Sequence, residues 1–560
     1  NGDVPDTNDN LYSDTLYFDS TTILSVRAFG GSNSLPSKVV DRTYIINEDN
    51  YGLPVFSIKT DSLNLWDWNN GIYVLGPNGS TVAPYYGANW RQDWSKWSRL
   101  EYFDKYRIIQ AEEELDLEIH GNGSTKFPQK SFRLDFKSKY SGDLDFPVIS
   151  NKPYISQYNN INLRNGGHTA TRSRIQGGLF AQLASKTNID IMGYEPCIVY
   201  LNGKYWGIYN IREKMDENYI EDNHGIKSDS VDLINGNSVY PKIYSGSDMH
   251  FIELYHTLMH TDPNDSSFFT FLDKGIDIDN MIDYCIFELY IGNWDWLGYY
   301  GNNIKLWRPQ SEDGKWRYML YDTDMGFNIG QGPNYDWITY SLNNSTAINK
   351  HADLLNKCFQ NSEFKCKFGR RYTDLINTIF HLDTFSLNLN LLRNQIEDAM
   401  PDHIAKWATP FPGPIIGSYT NPLDSMLEWE AHVENIIDYN QGRRIYAIDH
   451  LENYFNLPQS LSLTLNVAPQ NSGKIKINTI IPSQYPWEGT FLNHMCSSRL
   501  LTLSDSGFIF SHWNSNQILG NQIYNDTIDL YLSQNDTIIA NFRECTIHNL
   551  FVNLDSIDNY

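Results

Sequence analysis

The sequence predicts a multidomain α+β fold, and three observations carry that prediction. Its 560 residues exceed what one hydrophobic core usually serves, so two to four domains are expected. Short runs with strand-like alternation occupy both ends, and long stretches with helical spacing of apolar residues lie between them. Hydrophobic residues make up 41% of the chain, enough to fill packed cores.

Residues 17–47 alternate as strands, YFDSTTILSVRAFG and KVVDRTYII, around the turn GGSNSLPS. They predict the later strands of a small β-sandwich, a partial module over residues 1–50. After the junction LPVFSIKTD come two β-patterned runs within LDLEIHGNGSTKFPQKSFRLDFKSKY (115–140), joined by a glycine-containing turn. TRSRIQGGLFAQLASKT (171–187) has helical spacing of Ile175, Leu179, Phe180 and Leu183. EPCIVYLNGKYWGIYNIREKMD (195–216) reads as a hairpin about Asn202-Gly203. A helical stretch at 276–292 leads into NWDWLGYYGNNIKLW (293–307), and WRYMLYDTDMGF (316–327) follows, its YMLY and the earlier IKLW being short strands. Helical patterns return at 351–400 and 425–455. LSLTLNV, GKIKINTI, TIDLYL and TIIANF then mark an all-β module over 458–560.

Composition excludes some functions. The net charge of −24, from 43 basic and 67 acidic residues, argues against holding a nucleic-acid backbone through a general positive field. No run of eighteen apolar residues exists, so no transmembrane helix is expected. Six scattered cysteines without a CxxC pair support no zinc knuckle; Cys358 and Cys366 are near enough in sequence to pair locally, but buried free thiols are expected. The chain starts at Asn1 without methionine, and its polar leader NGDVPDTNDN has the character of a segment that follows a removed export signal or lipid anchor. An extracellular, cell-surface or periplasmic location is expected.

The order β, β, α, β, β, helix, acidic loop, strand, strand, acidic turn, helices is that of a two-lobed kinase. FPQKSFRLDF, LRNGGHTATRSRI, VYLNGKYWGIYNIREKMDENY, NWDW with NNIKLW, and WRYMLYDTDMGF, in that order, resemble the CotH family of atypical protein kinases. The resemblance runs from about residue 53 to 456. It implies a kinase-like body over 51–457, with an N-lobe at about 51–216 and a C-lobe at about 217–457. TTILSVRAFGGSNSLPSKVVDRTYII resembles the fibronectin-like C-terminal module of chitobiases and hexosaminidases, which implies location in exported bacterial proteins and not catalysis.

Phosphoryl transfer needs held phosphates, a bridging metal and a base or orienter beside the attacking hydroxyl. Asp295 stands where a catalytic-loop carboxylate precedes a metal-binding asparagine, here Asn302 or Asn303. Asp322 and Asp324, spaced i and i+2 after a strand, point to one side and suit a magnesium ion, with manganese or calcium as alternatives. Lys130 stands where a kinase lysine meets the phosphates of ATP, beside a turn whose Gly121 and Gly123 free backbone N–H groups for the same oxygens. Arg212 and Glu213, in the REK-type block, fall where a kinase contacts its nucleotide; Glu213 or Glu118 is the candidate partner of Lys130.

Two departures bear on activity. The asparagines fall seven and eight residues after Asp295, so LGYYG carries about three residues more than kinases place there. The helix at 171–187 has no acidic residue to pair the lysine, and an Arg-Asp that the family carries at its start reads Arg172-Ser173. The expected function is therefore an exported, magnesium-dependent kinase acting on a protein hydroxyl or envelope component. The alternatives are a catalytically silent surface-binding protein with the same body and, more weakly, a metal-dependent carbohydrate-active enzyme whose β-modules contact glycans. The histidines of HTLMH (256–260) suit zinc by spacing, but no third ligand accompanies them.

Overall fold

The computed structural model describes residues 2–30, 34–140, 142–238, 240–298, 301–327, 330–343, 350–408 and 422–545. They fall into two compact units, residues 1–356 with 382–442, and residues 357–381 with 443–560. The chain is a multidomain α+β protein, as its sequence predicts.

The first unit is built on a closed seven-stranded barrel. A ribbon of β1 (Thr22–Val26) and β2 (Val40–Tyr44) precedes it, followed by β3 (Val55–Lys59), the short α1 (Ser62–Trp66), β4 (Ser95–Phe103), β5 (Ile109–His120) and β6 (Ser131–Asp135). After the small ribbon β7 (Leu144–Asp145) and β8 (Gln157–Tyr158) come β9 (Asn160–Arg164), α2 (Gln176–Ala184), β10 (Asp190–Ile191), β11 (Glu195–Leu201) and β12 (Lys204–Arg212). The barrel order is β11-β12-β9-β6-β5-β4-β3, closed by parallel pairing of β3 with β11. Alternation explains its interior: Leu115 and Leu117, Phe132 and Leu134, Ile161 and Leu163, and Tyr209 and Ile211 repeat at i, i+2 and share one buried core. LPVFSIKTD, read as a junction, supplies the barrel strand β3. The N-terminal residues expected to hold part of a sandwich contribute the ribbon β1–β2 to this same unit. Asp41 ties it to the barrel by taking Lys59 Nζ at 2.7 Å and Arg99 Nη1 at 2.9 Å.

Beyond the barrel lie α3 (Glu217–His224), β13 (Val231–Asn235), β14 (Lys242–Ser245), α4 (Met249–His260), α5 (Ser266–Gly275), α6 (Ile278–Ile291), β15 (Lys305–Pro309) and β16 (Arg317–Leu320). A second sheet, β10-β16-β15-β13-β14, is antiparallel except where β10 runs parallel to β16. Helix α6 is apolar on nearly every face, and all but Asp279 are buried. Asp277 caps its start by accepting the Asn280 N–H, and Gly292 at φ 62° ends it. The acidic loop beginning at Asn293 therefore starts from a fixed, buried helix end. Helices α7 (Trp337–Asn343) and α8 (Lys350–Cys358) follow.

Helix α9 (Ser362–Asn377) belongs to the second unit, whereas α10 (Leu382–Ile396) and α11 (Met400–Trp407) belong to the first, as does α12 (Met426–Phe455) as far as Gly442. The second unit is completed by β17 (Leu461–Ala468), β18 (Gly473–Ile477), β19 (Trp487–Phe491), β20 (Ser498–Ser504), β21 (Phe508–Asn514), β22 (Thr527–Leu530) and β23 (Asp536–Glu544). Two sheets, β19-β17-β23-β21 and β18-β20-β22, enclose a core that includes Leu463, Leu465, Ile475, Leu500 and Ile538. Helix α9 packs on them through Asp374, which accepts the N–H and hydroxyl of Thr479, and Asn377, which exchanges hydrogen bonds with Thr490. Cys366 on α9 is disulfide-bonded to Cys496, which corrects the expectation of free thiols for these two cysteines as well as the Cys358–Cys366 alternative; Cys358 is a buried free thiol.

Candidate active site

Strand register brings the two acidic turns together. Lys305 at the start of β15 pairs with Met319 near the end of β16. Asn302 and Asn303 just before β15, and Asp322 and Asp324 just after β16, therefore emerge at the same end of the sheet. Asp322 has φ 54° and starts the 3-10 turn Thr323–Met325. Asn303 also has a positive φ, 56°. Both are residues that tolerate the left-handed region better than most.

The asparagines face Asp295. Asn302 Nδ2 donates to Asp295 Oδ1 at 2.8 Å, and Asn303 Nδ2 lies 3.3 Å from Oδ2 and 3.2 Å from the Asp295 carbonyl. The longer loop between Asp295 and these asparagines thus still returns them to it; its Tyr299 and Tyr300 lie outside the described residues. Burial pushes the Asp295 carboxyl up, the two asparagines oppose the rise, and the charge of Asp324 adds to it.

The barrel supplies the opposing charges. Arg164 ends β9 and donates from Nη2 to Asp322 Oδ1 at 3.1 Å, with Asp324 Oδ2 at 3.5 Å. Beyond it, Asn165 is fully buried: its Nδ2 donates to the Gln129 carbonyl at 2.6 Å and its Oδ1 accepts the Gly167 N–H at 3.0 Å. This fixes the Gly166-Gly167 turn. Gly167 has φ 58°, and a Cβ there would fall 1.9 Å from Asp324 Oδ2, so only glycine lets the backbone approach this carboxylate. The next N–H, that of His168, donates to Asp324 Oδ2 at 2.8 Å, and His168 Nδ1 lies 3.3 Å from Oδ1. Burial alone would raise Asp324, but His168 and Arg164 outweigh it and hold the carboxyl at about 2. Asp322 goes the other way, raised by burial and by the charge of Asp324 against Arg164. Its side chain keeps 38% of its surface open, whereas that of Asp324 keeps 10%.

Arg164, Arg174 and Arg212 line one cleft with Asp322, Thr323 and Asp324. Arg212 is buried, donates from Nη1 to the Gly177 carbonyl at 3.3 Å, and leaves its Nε–H without a partner. Burial, reinforced by Arg164, draws it down to about 10. Glu288, near the end of α6, is 1% exposed, and burial with the charges of Asp295 and Asp322 pushes it up to about 8.

Lys130 is placed elsewhere. Its ammonium donates to the carbonyls of Thr125 and Phe127 at 2.8 and 3.1 Å and lies 3.9 Å from the Trp90 ring centroid. Burial draws it down to about 7. No ion pair joins it to Glu118 or Glu213 among the described residues: Glu118 faces Arg133 at 3.7 Å, and Glu213 takes Lys152 Nζ at 2.6 Å and the Gly193 N–H at 2.6 Å. The reason is reach: the Lys130 side chain folds back onto the turn that precedes its own strand. That turn does approach the site, since a Cβ on Gly123 would lie 3.7 Å from His168 Nε2. Gly121, at φ 106°, opens the same turn. The charge of Lys126, in this turn, is felt at His168.

Asp322 and Asp324 offer carboxylate oxygens to a cation in the cleft, and Asp295, with Asn302 and Asn303 on it, feels the charge of Asp324. Among the described residues no three His, Cys, Asp or Glu side chains are grouped closely enough to hold a metal by themselves, and this includes His256 and His260. Such a set fits magnesium, which takes one or two carboxylates and completes its shell with water and phosphate oxygens.

A closed barrel, a second sheet and helices, with acids and arginines lining one cleft, make this an α+β protein with a charged site. The family model described as CotH kinase protein matches residues 117–447, more than half of the chain, and the protein belongs to that family. It is also similar to the invasin CotH2 of Rhizopus delemar, 24% identical over 138 residues, 24% of this chain and 23% of the relative. The match thus spans about a quarter of either protein. No described helix is long and apolar enough to cross a membrane.

Arg164, Gly167 and His168 are the site residues that the sequence reading did not single out. The block LRNGGHTATRSRI contained them, and its paired glycines before a basic residue were the available signal.

Proposed function

We propose that the protein is an exported kinase of this family, moving the γ-phosphoryl group of ATP to a protein hydroxyl with magnesium. The observation that carries the reading is the single cleft in which Arg164 and Arg212 face Asp322 and Asp324, with the charge of Asp324 reaching Asp295. Asp295 is oriented by Asn302 and Asn303 to accept the proton of the attacking hydroxyl, and its raised pKa suits a base. Asp322, Asp324 and Asn303 would hold magnesium, which when bound neutralises the phosphate oxygens. Arg164 and Arg212 replace Lys130 as the cations for those oxygens, because guanidinium forks bind phosphate bidentately. The Cys366–Cys496 bridge supports an oxidising compartment, and a relative named as an invasin supports a surface location.

A second reading, a catalytically silent nucleotide- or partner-binding surface protein, is favoured by one observation: the kinase-position lysine is taken up by the carbonyls of Thr125 and Phe127. Magnesium with ATP should stabilise the chain by about 2.7 kcal/mol at a hundredfold excess over Kd. Label transfer that is lost in Asp295→Ala supports the kinase; stabilisation without transfer supports the silent protein; no stabilisation at all removes nucleotide from the account.

A further inference from the structure

The second unit carries an open polar cavity of about 550 Å³, lined by Thr502, Ser504, Phe510, Tyr524, Asn525 and Asp526 with the start of β22. Ligand sites commonly measure about 300–1,000 Å³, so the volume admits a short oligosaccharide. We propose that this cavity is a binding site for a neutral saccharide chain. Its walls are held by the fold. Thr502 and Ser504 lie on β20, which pairs with β22, whereas Phe510 lies on β21 in the other sheet, so the cavity forms where the chain crosses from one sheet to the other. Two carbonyls pin the crossing segment: that of Asp526 accepts the Thr502 N–H at 2.9 Å, and that of Asn525 accepts Trp513 Nε1–H at 2.8 Å. The Phe510 ring is packed against Trp513 and Phe542, with centroids 5.2 and 6.0 Å away. A site on such a frame has little freedom left to lose when a ligand binds.

The groups this frame presents form hydrogen bonds and, apart from one carboxylate, carry no charge. Asp526 Oδ1 accepts the Thr527 hydroxyl at 3.1 Å. Among the described residues, Asp526 Oδ2, the Ser504 and Tyr524 hydroxyls and the Asn525 side-chain amide have no hydrogen-bond partner within the protein. A sugar hydroxyl both donates and accepts, so it can serve a carboxylate, an amide and a hydroxyl alike. Tyr524, 65% exposed, adds a ring against which the C–H groups of a sugar can pack. Other ligand classes fit less well. No lysine, arginine or histidine lines the cavity and Asp526 does, so a phosphate, sulfate or carboxylate would meet repulsion in place of a counter-ion. Its walls are mostly polar, which leaves little surface for a fatty or aromatic ligand. Every lining residue belongs to the second unit, so the inference does not depend on nucleotide chemistry in the first.

The test is calorimetric titration of the full chain with neutral oligosaccharides of β-1,4-glucose, β-1,4-N-acetylglucosamine, α-1,4-glucose and β-1,4-mannose, and with oligogalacturonate as the anionic control. At least one neutral chain should bind with a Kd of about 1 mM or tighter, and oligogalacturonate should not. Asp526→Ala, which keeps the pinning carbonyl and removes the carboxylate, should weaken that binding by about tenfold. Ser504→Trp, which fills the cavity, should abolish it. Asp529→Asn, on β22 but outside the cavity, should leave it unchanged. Should Ser504→Trp fail to fold, Asp526→Ala decides alone. No binding by any neutral chain, equal binding of oligogalacturonate, or affinity unchanged in Asp526→Ala or in a folded Ser504→Trp would each overturn the proposal.

Discussion

Gly167→Ala is the smallest change that isolates the cradle around Asp324. The added methyl carbon would sit 1.9 Å from Asp324 Oδ2 and 2.9 Å from Arg164 Nη2, at φ 58°. Holding alanine in the left-handed region costs about 1–2 kcal/mol. Carbon and oxygen need more than 3 Å, so the carboxylate must move by over an ångström and lose the 2.8 Å bond from the His168 N–H. A hydrogen bond to a charged group contributes about 1.5–3 kcal/mol, which makes the expected loss about 2.5–5 kcal/mol. Gly225→Ala is the matched control, because Gly225 is also left-handed, at φ 69°, and nothing lies within 4 Å of its Cβ position. It should show the backbone cost alone. Chemical denaturation of both variants, read from a probe in the first unit because two units need not unfold together, gives the comparison. Stabilisation by magnesium with ATP is then measured on each, and only Gly167→Ala should lose it. Equal destabilisation of the two variants, with the nucleotide effect intact in both, would refute the tight packing of backbone on Asp324.

Two further outcomes are expected. Lys130→Met removes the ammonium that binds the Thr125 and Phe127 carbonyls, and should cost about 1–3 kcal/mol of stability while sparing the nucleotide effect; a lost nucleotide effect at unchanged stability would return Lys130 to the phosphates. His351, drawn down to about 4 by burial, sits 3.0 Å from the Tyr318 hydroxyl. Its folded pKa lies below the unfolded value near 6.5, so the unfolded chain binds the proton first and stability falls as pH drops from about 6.5 toward 4. Between pH 7 and pH 5 this one group accounts for about 2 kcal/mol, and His351→Gln should shrink the difference in denaturation free energy between those two pH values by that amount; an unchanged difference refutes it.

What the sequence made legible was local. Asp322 and Asp324 stood out because a short apolar strand ends immediately before them, and Asp295 because a helix too apolar to be exposed ends just ahead of it. The hairpin at 195–216 and four of the seven strands of the C-terminal module, β17, β18, β22 and β23, were readable from period and turn chemistry alone. The partners of the acids were not, because Arg164 and His168 reach Asp322 and Asp324 across more than 150 residues of chain. Lys130 was placed by strand position, and strand position does not say which way a four-carbon stem folds; two carbonyls and a tryptophan face decided it. The disulfide likewise spans 130 residues, so sequence proximity offers Cys366 only Cys358 as a partner and otherwise reads it as a free thiol. Helix α9 looked like part of one helical run, but Asp374, Asn377 and Cys366 commit it to the β-sandwich.

The electrostatics of the cleft tie its two proposed ligands together. Arg164 and His168 already neutralise much of the aspartate pair, and Glu288, pushed up to about 8, carries little charge at neutral pH. A cation that approaches Asp322 alone must compete with the Arg164 guanidinium, 3.1 Å from Oδ1. A phosphate that approaches Arg164 alone meets the same carboxylate as a like charge. With both proposed ligands bound, Arg164 would exchange Asp322 for phosphate oxygens and Asp322 would exchange Arg164 for the cation, so each ligand would remove the obstacle to the other. By linkage, the factor by which one tightens the other must be the same in both directions. The ion pair between barrel and acidic turn thus joins the same groups that would bind the substrate pair.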